Sequence, residues 1–157
     1  MLDLLEQLRL LRNADLPLRV VAYDEPAGRP AREKLRASTL EHLRRADADA
    51  FFLVVVGRDQ ARTVLRPGET QEVAPLGWYL ARWGLEPLAL NPRSPGGQRW
   101  SCSVAPGAGC GPVVVQATGP AADGATPSVE FSPVPDAEGF RGVYSVGPLT
   151  ASPPPAL

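Results

Sequence analysis

The chain has 157 residues, enough for one domain with a core of its own; 44% are hydrophobic and 21% charged. Its 16 basic and 17 acidic residues leave a net charge of −1, which argues against a nucleic-acid or polyanion partner. The longest apolar run, residues 51–56, falls far short of a membrane span.

The opening residues carry acidic side chains where a secretory signal would carry basic ones, so the sequence by itself predicts a cytoplasmic protein. A preceding segment outside it would move that expectation to the periplasm or envelope. Leu4, Leu5, Leu8 and Leu11 recur at helical spacing, and Asp3 suits the positive end of that helix. A strand is expected over residues 18–23, followed by a loop containing Asp24 and Glu25. Pro30 suits the first turn of a second helix reaching about Ala46. Its apolar stripe is expected at Leu35, Thr39, Leu40 and Leu43, with Arg36, Glu41, Arg44 and Arg45 towards water.

Residues 51–56 are apolar without a break and are followed by Gly57, Arg58, Asp59 and Gln60. That pattern predicts a central strand buried on both faces. In open α/β sheets, ligands sit beyond the carboxyl ends of such strands, which marks Arg58, Asp59 and Gln60 as site residues. The run 76–83 after Pro75 reads as a short helix stopped by Gly84, and 85–90 as a third strand broken by Pro87. Short links between these elements predict a parallel sheet with right-handed crossovers.

Beyond Asn91 the chain becomes rich in glycine and proline. Two runs, 98–104 and 112–117, form a hairpin-like pair; 142–147 is a last strand, and prolines 153–155 cannot extend a ladder. The expected fold class is therefore α/β. A parallel sheet flanked by helices occupies residues 1–92, and a β-rich, Gly/Pro-rich extension occupies 93–157 of a single domain.

Asp24 and Glu25 end the first strand and Asp59 the second, so parallel pairing would bring these carboxylates together, as acid–base or metal chemistry requires. The plainer reading is that each acid favours the start of the helix it precedes. No nucleophile–base pair is visible, and the lone histidine, His42, reads as a helix surface residue. Two cysteines and one histidine make no structural metal site, so no metal is expected. Cys102 and Cys110 flank the hairpin connection. They would bond in an oxidising compartment and remain thiols in the cytosol.

Several segments in order resemble a known superfamily. Arg32-Glu33-x-x-Arg36-Ala37-x-Thr39-Leu40 is similar to the helix motif Arg-Asp-x-x-Met-Ala-x-Asn-Leu. That motif belongs to the group joining erythromycin esterases, ChaN-type haem-binding proteins and the Tiki/TraB metalloprotease-like proteins. Gly57-Arg58-Asp59-Gln60-Ala61 lies in register with the family's Gly-Asn-x-His-Ala, and Pro75-Leu76-Gly77-x-x-Leu80 with its next helix. The stretches 96–102, 110–111 and 142–154 are similar to the end of bacterial ChaN-like members. The resemblance runs from about Leu4 to Pro154 and corresponds to the second half of a typical family domain.

What it implies is a degenerate or truncated member that binds a ligand without catalysis. The family histidine falls on Gln60, and an amide cannot act as a base near neutral pH. Arg32 and Glu33 are the best-matched polar pair. Haem is the cofactor that the resemblance allows. The ligand-binding set expected from pattern and resemblance together is Asp24, Glu25, Arg32, Arg58, Asp59 and Gln60. The alternative is a hydrolase with a rearranged site built on Glu25, Asp59 or His42. The family's exported members favour a Cys102–Cys110 bond, and a sheet edge left without its missing strands would invite self-association.

Overall fold

The computed structural model describes residues 2–14, 16–23, 29–102, 109–118 and 127–151. It is a mixed α/β structure. Among the described residues, four α-helices, α1 (Leu2–Asn13), α2 (Arg29–Ala46), α3 (Arg58–Ala61) and α4 (Leu76–Arg82), precede five strands. The strands are β1 (Asn91–Arg93), β2 (Gly97–Cys102), β3 (Cys110–Val115), β4 (Ser128–Phe131) and β5 (Gly142–Ser145). A short 3₁₀ turn, Gln71–Val73, leads into α4.

The core lies between α2 and α4. Ala37, Leu40, Ala74, Leu76, Tyr79 and Leu80 are buried together, and Val54, Val56, Leu65, Trp78, Trp83 and Leu85 pack around them. Gly77 sets how closely the layers approach, because a Cβ there would lie 2.4 Å from the Ala61 carbonyl oxygen of α3. Tyr79 stands edge-on to Trp78, with ring centroids 5.2 Å apart, and its hydroxyl donates to the Gln71 carbonyl at 2.5 Å. The aromatic cluster is thus core rather than a ligand platform. Pro75 precedes α4, and Gly84 ends it at φ +78°, as the sequence predicts.

The buried stripe of α2 differs from expectation. It runs through Glu33, Arg36, Ala37 and Leu40, the spacing of one helix face, while Leu35 is exposed. Arg36, expected in water, is largely covered and donates to Glu33 at 3.0 Å. The small Ala37 lets α2 lie close to its neighbours, and the Arg36–Glu33 pairing lets charged side chains enter at the helix start.

The central-strand expectation needs correcting. Residues 18–23, 51–56 and 85–90 form no hydrogen-bonded ladder. Exposure alternates along 51–56: Phe51, Leu53 and Val55 are 89%, 78% and 69% exposed, while Val54 and Val56 face the core. The segment is apolar on both faces, but among the described residues the packed layer of α2 and α4 covers only one. Sheet pairing occurs later in the chain. β5 lies between β1, which it pairs in parallel with Asn91 opposite Val143, and β4, which it pairs antiparallel. The sheet is therefore mixed, and its parallel member pairs two segments distant in sequence.

β2 and β3 form a separate antiparallel hairpin with Cys102 directly opposite Cys110. Their sulfurs form a disulfide across it. Closing a loop this short restricts the unfolded chain by about 2.5 kcal/mol. Cys102→Ser is expected to lower stability by up to that amount; a two-dimensional NMR spectrum would show the shift changes concentrated in residues 97–115. Among the described residues, no helix is long and apolar enough to cross a membrane.

Candidate functional site

The turn after residues 51–56 is the one-turn helix α3, whose N-cap is Gly57, with no side-chain cap hydrogen bond. Asp59 stands in the first turn of α3, where its charge favours the helix start, but it makes no capping hydrogen bond. It accepts a hydrogen bond from Arg66 at 3.0 Å. Arginines at 58, 62 and 66 recur every fourth residue, and each reaches a different set of acceptors.

Arg62 is the innermost, only 4% exposed. Its two terminal nitrogens donate to both Glu69 carboxylate oxygens at 2.9 and 2.7 Å, a planar, two-pronged ion pair. The Val64 carbonyl accepts a further bond from Arg62 at 3.2 Å. Glu69 also accepts the backbone N–H of Arg66 at 2.8 Å. The Arg62 hydrogen bonds, reinforced by that backbone donor, hold the Glu69 carboxyl down from 4.5 to about 2.

Around this pair lies a more exposed ring. Glu138 accepts from Arg66 at 2.6 and 3.0 Å and also pairs with Arg58, whose Nε donates to Asn91 at 2.9 Å. The hydrogen bond from Arg66, with the charge of Arg58, keeps the Glu138 carboxyl below its ordinary value. Arg58 also stacks over the ring of Phe140, 5.4 Å from its centroid. Glu138 is carried by a turn in which Asp136 accepts the backbone N–H groups of Glu138 and Phe140 at 2.9 and 3.0 Å. Thr63 clamps that turn, donating through its hydroxyl to the Gly139 carbonyl at 2.9 Å. Gly139 sits at φ +85°, and a Cβ there would collide with the Thr63 hydroxyl.

These groups border a cleft of about 360 Å³, lined by Glu33, Asp59, Gln60, Arg62, Arg66 and Glu69, with the 73–75 segment as its apolar side. Two buried polar atoms in its lining have no hydrogen-bond partner: Arg62 Nε and Glu33 Oε2. Arg62 Nε lies 3.8 Å from Asp59 Oδ1, beyond hydrogen-bond reach. Arg62 and Glu33 thus each carry one buried, unpartnered polar atom beside the cleft, among charges that otherwise neutralise each other.

No protein-family model, curated protein or solved structure matches this chain. The cleft's chemistry has to be read from its own residues.

Of the residues singled out from sequence, Asp59 and Gln60 line the cleft, and Arg58 stands beside it through Glu138. Arg32 lies on α2 but is not among the lining residues. Asp24 and Glu25 lie outside the described residues. His42 is exposed on α2. Sequence reasoning missed Arg62, Arg66, Glu69 and Glu138. The fourfold spacing of the arginines was the available signal for two of them; nothing local marks Glu138. Among the described residues, no cluster of three or more histidine, cysteine or acidic side chains is placed to hold a metal ion.

Proposed function

We propose that this protein is a non-catalytic binding protein for a small, uncharged, hydroxyl-bearing ligand held in the Arg62–Glu33 cleft. The observation that carries the reading is the pair of buried, unpartnered atoms, Arg62 Nε–H and Glu33 Oε2, on two residues that line one cleft, where a small shift of either side chain would present them to a ligand. A buried polar group without a partner costs about 1–3 kcal/mol, so a ligand that serves both is favoured by both. A hydroxyl can accept from the guanidinium and donate to the carboxylate. The ligand's neutrality follows from the existing pairings, Arg62 with Glu69, Arg36 with Glu33 and Arg66 with Asp59.

Hydrolysis is less favoured because the Asp59 carboxylate is occupied by Arg66 and His42 stands away on the exposed side of α2. Haem, which the family resemblance implies, would meet a lining of six polar or charged side chains with no histidine, methionine or cysteine. The reading includes a parallel packing of residues 18–23, 51–56 and 85–90 that delivers α3 to the cleft. It is supported by the Tyr23 hydroxyl, which donates to the Val55 carbonyl at 3.2 Å, and by Val54, Val56 and Leu85 packing on one core.

Titrating ¹⁵N-labelled protein with myo-inositol to about 50 mM, beyond the millimolar dissociation constant expected of a few hydrogen bonds, tests the proposal. Saturable shifts at the Arg62 Nε–H resonance and in residues 59–69 are expected, and Arg62→Lys, which lacks that donor, should lose them. An unresponsive Arg62 resonance sinks the reading. So does stoichiometric haem uptake with an absorption band that Arg62→Lys leaves unchanged.

A further inference from the structure

We infer that the groove between α1 and the segment that follows it is a second binding site, for a single-chain amphiphile with one anionic head. The inference is independent of what fills the Arg62–Glu33 cleft. Leu8, Arg9 and Arg12 of α1 and the consecutive Leu18, Arg19 and Val20 line a groove of about 400 Å³. That volume lies at the low end of the ~300–1,000 Å³ of small-molecule sites, which suits one alkyl chain rather than two. The lining is three aliphatic side chains and three guanidinium groups, with no carboxylate, hydroxyl or aromatic ring. Among the described residues, none of α1 belongs to the packed core, so the groove is not part of it.

The charges select the head of the ligand. Arg9 is satisfied within its own helix, donating to the two Glu6 carboxylate oxygens at 2.8 and 2.6 Å. Arg12 and Arg19 make no hydrogen bond or ion pair among the described residues. The whole chain carries a net charge of only −1, so this positive excess is local. A cation finds no acceptor side chain in the groove, whereas a carboxylate or a phosphate monoester can take a guanidinium fork. The aliphatic side chains select the tail. Leu8 and Leu18 are half-buried and Val20 is 62% exposed, so an alkyl chain laid in the groove covers apolar surface that the fold leaves open. Both parts are needed, because an ion pair at an exposed arginine adds little by itself.

Titrating the ¹⁵N-labelled full chain with sodium octanoate to about 5 mM tests the inference, a range that covers the affinity expected of one short chain and one head. Saturable shifts are expected in residues 8–12 and 18–20, and none in 59–69. Octyl phosphate should compete for the same residues, and whichever head binds more tightly identifies the source of the anion. Acetate, inorganic phosphate and 1-octanol, each only one part of such a ligand, should bind at least ~10-fold more weakly than octanoate. From hexanoate to octanoate the affinity should rise about tenfold, the effect of two covered methylenes. Arg12→Gln combined with Arg19→Gln should weaken octanoate binding about tenfold and leave the circular dichroism native, because both side chains are exposed. Should the double variant unfold, salt decides instead: between about 0.05 and 0.5 M NaCl the unaltered chain should lose octanoate affinity but keep its weak response to 1-octanol. If 1-octanol binds as tightly as octanoate, the groove is merely apolar and the inference is overturned. A response to vesicles of anionic phospholipid without one to free octanoate assigns the groove to a membrane surface and overturns it too. So does an octanoate titration with no saturable shift in residues 8–12 and 18–20.

Discussion

Replacing Glu69 with alanine is expected to lower the free energy of unfolding by about 3 kcal/mol, measured from urea denaturation midpoints. The cost arises at Arg62 rather than at Glu69. Arg62 is almost wholly buried, and without the carboxylate Nη2 loses its acceptor and Nη1 keeps only the Val64 carbonyl, while the charge stays in place. Removing one member of such a pair costs about 3–5 kcal/mol; the lower end applies because Glu69 itself is a quarter exposed. The double variant Glu69→Leu, Arg62→Met should recover most of the loss, because apolar replacement of both partners leaves no buried charge. If the two changes simply add, the pair is not the stabilising unit.

The same contact has a pH signature. Glu69 titrates near 4.5 when unfolded and near 2 when folded, so its contribution is fully present above about 4.5. It fades as the pH falls from there and is gone below about 2. Glu69→Gln should flatten the stability profile in that window and leave its shape at neutral pH unchanged. A wild-type profile with no acid slope over that window would contradict the ion-pair account.

What could be read from the sequence was local. α4 is legible because Pro75, the helical run and Gly84 all fall within ten residues, and the β2–β3 pairing because two apolar or alternating runs lie close together in the sequence with a Gly/Pro-rich stretch between them. The β1–β5 pairing joins Asn91 to Val143, and no local pattern encodes a contact across so much chain. Residues 51–56 show a different limit. Six apolar side chains in a row carry no period, so the sequence cannot say whether one face or both are covered; that depends on elements elsewhere. Two residues marked from the sequence, Asp59 and Gln60, line the candidate cleft, while nothing local marks the burial of Arg62, its most buried charged residue. Arginine is rarely buried, and Arg62 can be so only because Glu69, seven residues on, folds back over it.

Phe140→Ala is expected to cost about 3–5 kcal/mol, the range for emptying a fully covered aromatic site. Phe140 is 2% exposed and is one of the two largest side chains buried so completely. Its effect should extend beyond the cavity. Phe140 follows Glu138 in the turn held by Asp136, and its ring lies under the Arg58 guanidinium. Loosening the ring releases Arg58 on one side and the Glu138 backbone on the other. Glu138 in turn orients Arg66, whose remaining partner at the cleft is Asp59. A disturbance at one buried phenylalanine is therefore transmitted through Glu138 and Arg66 to the wall of the cleft. Phe140→Leu, which keeps most of the volume and should fold, separates the two consequences. Its stability should fall by only about 1–1.5 kcal/mol, while the Arg58 and Arg66 Nε–H resonances shift with loss of the ring contact and its stacking. Unmoved guanidinium resonances in Phe140→Leu would confine the ring to core packing and remove it from the support of the site.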